Sequence, residues 1–195
     1  LDDQVGKLVE CLKDTGSYEN TVIVFLSDNG YMLGNHGLGN KITMHEESVR
    51  VPMFIHAPGI VDEGLRSESL ASSLDVMPTL LKLAGIDPPD HLSGTSLLPL
   101  FASPQRSLRE YVASECVGVG GKPGEGHRMV RTKRWKYILT GVGEEALLDE
   151  QNDPYERHNL ADEPEHHQTL VAMRKHMREW MKKTGDTHAR PPEAG

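Results

Sequence analysis

Aromatic residues make up only 5% of this 195-residue chain, and it has just two cysteines, Cys11 and Cys116. Two distant cysteines exclude a disulfide framework and a cysteine-built zinc site. No apolar run approaches the ~20 residues that a helix needs to span a bilayer. Basic charge is scarce too: 21 Lys and Arg stand against 29 Asp and Glu, for a net charge of −8. That balance argues against a general nucleic-acid surface, which needs a basic stripe. It does not argue against an anionic substrate, because one lysine or a bound cation can supply positive charge locally. At 37% hydrophobic and 26% charged, the composition is that of a folded globular chain, one domain or one domain plus a small one.

The elements are short. Val5, Leu8, Val9 and Leu12 recur at helical spacing over residues 2–14, and Gly16 marks the stop. The run Thr21–Leu26 is apolar and β-branched with little alternation, which predicts a buried strand of a parallel sheet. Gly30, Gly34, Gly37 and Gly39 predict a long loop over 30–45. Val51–His56 reads as a second strand, and 75–84 as a helix with Pro78 near its start and Gly85 at its end. The pattern changes over 102–110. Short strands at 111–116, 128–132, 135–140 and 146–149 then follow one another without helices, which predicts an antiparallel sheet. The glycine-rich stretch 117–126 reads as a mobile loop between two of them. A helix opens at Pro164 and runs to about Lys183, with Leu170, Met173, Met177, Trp180 and Met181 as its core-facing stripe. Residues 186–195 read as a frayed tail.

Residues suited to chemistry gather at Ser27-Asp28-Asn29-Gly30, directly after the first strand. Proteins of α/β type place ligands just beyond the carboxyl ends of strands. Adjacent Asp28 and Asn29 offer two hard oxygens, which suit Ca2+ or Mg2+; Asn-Gly is equally a common turn signal. Lys41 brings a compact charge with three donors, fit for an oxyanion, although loop lysines are usually solvated. His36 shares the glycine-rich loop and suits either hydrogen bonding within it or donation to an anion. Glu46, Glu47 and Arg50 at helical spacing predict a structural ion pair, and His45 before them receives no role. His127 and Arg128, a basic pair beside 117–126, suggest a contact at a pocket rim. Arg131, Lys133, Arg134 and Lys136 alternate around Val130, Trp135 and Tyr137, the pattern of a solvated strand face.

The longer context resembles the sulfatase family of the alkaline-phosphatase-like superfamily. The matching pieces are Ser27–Gly30, Leu33-Gly34-Asn35-His36-Gly37, Lys41, Glu46–Pro52 and Ala57-Pro58-Gly59. They continue as Asp75–Leu81, Leu83-Ala84-Gly85, Ser93–Leu97, Arg131–Tyr137, Asn152–Glu156 and Asn159-Leu160, in order along nearly the whole chain. The resemblance implies an α/β fold. Residues 1–105 would be the C-terminal part of an alkaline-phosphatase-like mixed-sheet domain, and 106–195 a small antiparallel-sheet plus helix subdomain. It implies a Ca2+-dependent sulfuric ester hydrolase in which Asp28 and Asn29 hold the metal, Lys41 binds the sulfate group and His36 lines the pocket. His36 is not expected to be the general acid, a role the family gives to a histidine from an upstream segment.

The chain departs from the family at one point. No Cys or Ser is followed by x-Pro-x-Arg, the motif whose Cys or Ser becomes formylglycine. The chain is therefore expected to be the C-terminal portion of a longer enzyme, inactive alone, with the remaining ligands of one Ca2+ ion in a missing N-terminal part. Expected partners are that N-terminal part and a sulfated small molecule or carbohydrate, with no nucleic acid and no membrane span. A periplasmic or secreted location follows family habit. Two other readings stay open. One is a phosphodiesterase or phosphonate hydrolase of the same superfamily, since phosphate and sulfate esters are similar tetrahedral anions, although Asn29 in place of His favours a single Ca2+. The other is a non-catalytic binding module.

Overall fold

The computed structural model describes residues 1–117 and 126–187, so residues 118–125 of the expected loop 117–126 and residues 188–195 of the expected tail 186–195 lie outside the described residues. Two units divide the chain. The first takes Leu1–Ser27, Pro52–Ser69 and Ser73–Arg106; the second takes Asp28–Val51, Leu70–Ser72 and the chain from Ser107 onward.

In the first unit, α1 (Asp2–Asp14) forms where the spacing predicts it, with Asp2 and Asp3 in its first turn and Lys13 in its last, each matched to the helix dipole. Gly16 closes it at φ 68, a left-handed turn that lets the Ser17 N–H reach back to the Leu12 carbonyl at 2.8 Å. β1 (Ile23–Leu26) pairs with β2 (Met53–His56), Ile23 opposite His56 and Leu26 opposite Met53. The pairing is antiparallel, not the parallel arrangement expected from the apolar run, and β1 is partly exposed, with Leu26 at 37%. An unbroken apolar run reports two apolar faces; it carries no information on the direction of the partner strand.

The helix α3 (Val76–Leu83) ends at Gly85 as expected. Its flanking motifs have a structural purpose. Buried Asp75 accepts the Thr95 N–H at 2.8 Å, and Thr79 Oγ1 accepts the Leu97 N–H at 2.9 Å. Gly94 is needed there because a Cβ would lie 1.9 Å from the Leu74 carbonyl oxygen. α4 (Leu98–Ala102) follows.

The second unit holds a one-turn helix, α2 (Glu46–Val49), and an antiparallel meander. Its strands are β3 (Val112–Cys116), β4 (His127–Arg131), β5 (Trp135–Thr140) and β6 (Glu145–Asp149), adjacent in chain order and each within one residue of its expected bounds. A turn at Pro164–His166 leads into α5 (His167–Thr184), which Gly185 ends at φ 72. Strand side chains alternate between faces. Val130, Tyr137, Leu139 and Leu147 pack on Leu170, Met173, Met177 and Met181 of α5. Met129, Ile138 and Leu148 point the other way, onto Met44 with Val49. The sheet thus has a helix on one face and Met44 with Val49 on the other.

β6 would otherwise present unpaired backbone groups at the sheet edge. Asn159 covers them: its Oδ1 accepts the Leu147 N–H at 3.0 Å and its Nδ2 donates to the Glu145 carbonyl at 3.0 Å. Arg128, expected at a pocket rim, is instead fully buried. Its Nε donates to Asp186 Oδ2 at 2.7 Å, just past the end of α5. The even positions of β4 face α5, so a guanidinium there must find an anion inside the fold. Among the described residues no helix is long and apolar enough to cross a membrane.

Leu147 is fully buried between sheet and helix. Leu147→Ala should destabilise the protein by about 2–5 kcal/mol, the usual range for such a truncation, read as a lower urea midpoint with an unchanged slope.

Candidate active site

The candidate site lies within the second unit and is built by one loop that folds back on itself. Gly30 makes the first close approach: its N–H donates to the Ser48 carbonyl at 2.8 Å, and a Cβ would fall 2.0 Å from the Glu47 carbonyl oxygen. Met32 is fully buried and anchors the next stretch, its N–H donating to the Asn40 carbonyl at 2.9 Å. That bond closes residues 32–40 into an excursion and returns Lys41 to the side of Asn29. The buried Ser48 hydroxyl donates to the Lys41 carbonyl and holds the return.

The result is a direct contact: Lys41 Nζ donates to Asn29 Oδ1 at 2.8 Å. The Asn29 amide is oriented by its own Nδ2, which donates to the Gly30 carbonyl at 2.7 Å, while Asp28 Oδ1 accepts the Asn29 N–H at 2.9 Å. Asp28 and Lys41 are both exposed. A carboxylate, an amide oxygen that already draws an ammonium, and that ammonium itself therefore share one exposed corner. The donor set fits a hard cation in kind, since both oxygens are of the type Ca2+ prefers. Two donors fall short of the roughly 6–8 oxygens Ca2+ collects, so these residues can contribute to such a site but cannot make one alone.

His36 is brought near the same loop but turned to other partners. Its backbone is left-handed, at φ 54, a conformation that costs a residue with a Cβ roughly 1–2 kcal/mol. Its ring stacks on His45 with centroids 4.1 Å apart and planes 10° from parallel, and its Nε2 lies 3.8 Å from Glu47 Oε1. His45, which had no role by sequence, reaches Glu156 Oε2 through Nδ1 at 3.0 Å. Glu156 also accepts the Glu46 N–H at 2.8 Å and takes the Lys136 ammonium on Oε1.

Lys136 overturns the reading of its strand as solvated. It is fully buried, and its Nζ meets Glu46 Oε1 at 2.6 Å, Glu150 Oε1 at 3.2 Å and Glu156. Arg131 adds a second cation, 3.3 Å from Glu46 Oε1 and 3.7 Å from Glu150 Oε2. The expected pair of Glu46 and Arg50 exists at 4.0 Å but is the weakest of these contacts. Burial pushes the Glu150 carboxyl up to about 7 against the pull of Lys136, with the Glu46 and Glu156 charges adding to the rise. Burial presses on Glu156 in the same sense, but hydrogen bonds from His45, Lys136 and the Glu46 N–H outweigh it and hold that carboxyl at about 2. His127 stands nearby in β4, half-buried, its imidazole pushed down first by burial and then by the charges of His45 and Arg128.

Glu156 was legible only as part of a matched motif. The structure gives that motif its reason. Asp153 accepts the N–H groups of Arg157 and His158 at 2.7 and 2.9 Å, shaping the turn in which Glu156, at φ 52, points inward.

The family model for the C-terminal region of N-sulphoglucosamine sulphohydrolase matches residues 34–183. A choline-sulfatase of Rhizobium meliloti is 38% identical over 170 residues, which cover 84% of this chain and 31% of that protein. A solved structure in complex with its substrate D-glucosamine-2-N,6-O-disulfate superposes with a TM-score of 0.88 at 28% identity, covering 95% of this chain and 39% of that one. The phosphonate monoester hydrolase of Silicibacter pomeroyi superposes with a TM-score of 0.81 at 26% identity, over 93% of this chain and 38% of that one. The chain spans about a third of the length of the curated relatives it matches.

The two shifted carboxyls act on stability with opposite sign. Glu156, held below its ordinary 4.5, contributes stability above that value and loses it as pH falls through about 2. Glu150, raised above 4.5, contributes most below that value and loses it as pH rises through about 7. Stability from chemical denaturation should therefore fall towards both ends, and Glu150→Gln should remove the decline across pH 4.5 to about 7 while leaving the acid limb.

Proposed function

The chain belongs to the sulfatase family, and from that premise we propose that it is the C-terminal portion of a Ca2+-dependent sulfuric ester hydrolase. The observation that carries the proposal is the bond between Lys41 Nζ and Asn29 Oδ1. It joins an oxyanion-binding cation to two cation-binding oxygens on one folded loop, in a chain with the fold of alkaline-phosphatase-like sulfatases.

Asp28 and Asn29 are the residues of this chain that would hold Ca2+. The ion, when bound, supplies positive charge against which a sulfate oxygen can lean as charge builds on it. Lys41, whose Nζ donates to Asn29 Oδ1, would supply a second positive contact. As substrate leaves bulk water, its ammonium exchanges the amide oxygen for a sulfate oxygen, a better-matched acceptor because it carries charge. His36, stacked on His45, presents a ring edge in the same loop and can donate to an ester or sulfate oxygen when protonated. The nucleophile, a formylglycine hydrate, and the acid histidine are assigned to the N-terminal part of the protein. The disulfated glucosamine bound by a structural neighbour favours a sulfated carbohydrate as substrate.

A second reading has its own support. The phosphonate monoester hydrolase superposes nearly as well, and a cation beside a lysine does not by itself distinguish a sulfate from a phosphonate ester. Side-by-side turnover of an aryl sulfate and an aryl phosphonate by the full-length protein decides between them, and sulfate is the expected winner.

The isolated 195 residues should bind Ca2+ weakly and turn over nothing. Turnover of an aryl sulfate by the purified chain, lost in Asp28→Ala, would overturn that. In the full-length protein, chelation of Ca2+ should abolish turnover, and Asp28→Ala or Lys41→Ala should each lower kcat/KM by about 10²–10³-fold, the scale of losing one preorganised electrostatic contact.

A further inference from the structure

The glycine loop turns at a histidine: the Leu38 N–H donates to the Asn35 carbonyl at 2.9 Å across His36 and Gly37, both at positive φ. His36 is left-handed between Gly34 and Gly37, themselves at φ 95 and 71. The group in contact with the His36 ring face is His45 at 4.1 Å, and the His45 ring is itself fixed from behind by Glu156.

We infer that Glu156 is a positioning residue for His36, acting through His45. This rests on the proposed placement of His36 in a sulfate-ester pocket. Glu156 accepts from His45 Nδ1, which makes that nitrogen an N–H donor and fixes the ring's orientation. The same carboxylate oxygen accepts the Glu46 N–H at 2.8 Å, so ring and backbone on either side of the His45–Glu46 peptide are tied to one point. The other oxygen holds Lys136 in the sheet. A flat imidazole clamped in this way is a shelf, and the His36 ring lies on it nearly parallel, 10° off. Glu47 steadies the far side: its Oε1 accepts from Asn35 Nδ2 at 2.8 Å and lies 3.8 Å from His36 Nε2.

The two imidazoles and the Glu156 carboxylate stand close enough to share a cation. Both oxygens of Glu156 are already engaged, one by the Lys136 ammonium, so the geometry is that of a carboxylate–imidazole relay and not of a second metal centre. His36 belongs to the pocket; His45 and Glu156 touch no substrate and act by keeping the His36 ring in one place.

The test is a double-mutant cycle in the full-length protein, assayed with an aryl sulfate. Glu156→Gln keeps the volume and loses the charge-assisted bond, and His45→Ala removes the shelf without touching Lys136. Each should lower kcat by roughly tenfold with little change in KM, and the double variant should be no worse than either single, because residues acting in series are non-additive. Effects that multiply, or a normal kcat in His45→Ala, would overturn the inference and assign Glu156 to fold stability alone. Imidazole NMR of the full-length protein decides it independently of turnover. Glu156→Gln should shift the His36 ring signals when His45 is present and leave them unmoved in the His45→Ala background; equal shifts in both backgrounds would overturn it. If the unmodified protein turns over no sulfate ester, the functional proposal fails, and the spectra still settle whether Glu156 controls His36.

Discussion

An ammonium group buried from solvent must find anions, and Lys136 finds three. They come from separate parts of the second unit: Glu46 from α2, Glu150 from the turn after β6, and Glu156 from the turn beyond it. Moving a charge into the interior costs several kcal/mol even after relaxation, and only close, well-aligned partners offset it. The offset here demands that all three segments be in place together. The one-turn helix α2 is too short to be stable alone. It is held because its first N–H and its Glu46 side chain are both part of this cluster.

From that constraint the rest of the site follows. With α2 fixed on the sheet beside Met44, Ile138 and Leu148, its carbonyls become landmarks for the loop. Gly30 approaches the Glu47 and Ser48 backbone more closely than any residue with a Cβ could, and the Ser48 hydroxyl pins Lys41. Asn29 and Lys41, twelve positions apart in sequence, then meet. The acidic background is no obstacle to binding an anion, because the charge that matters is one lysine placed within a few ångströms, where it acts before salt screens it. The local fields of the site and the net charge of the chain answer to different length scales.

Several features were legible in the sequence because their cause is local. The stripe Leu170, Met173, Met177 and Met181 predicts α5 through the geometry of 3.6 residues per turn, and Gly85 and Gly185 mark helix ends through their freedom at positive φ. The meander was readable because strands 5–6 residues long alternate faces without intervening helices. Three readings failed, each where the cause is a distant partner. The β1 run could not reveal that β2 pairs with it antiparallel. Arg128 was expected at a pocket rim and Lys136 on a solvated strand face, yet the sheet sends one to Asp186 and the other to Glu46, Glu150 and Glu156.

By itself, then, the sequence determined the element types, the family, and Asp28, Asn29, His36 and Lys41 as the residues to watch, since periodicity, turn chemistry and ordered motifs are written within short windows. Only the tertiary structure decided which of those residues touch, that His45 and Glu156 stand behind His36, and that a basic strand face is an interior ion cluster. A buried charge is stabilised by groups brought close in space, and their separations along the chain, up to 111 positions for His45 and Glu156, leave no mark on the sequence near either one.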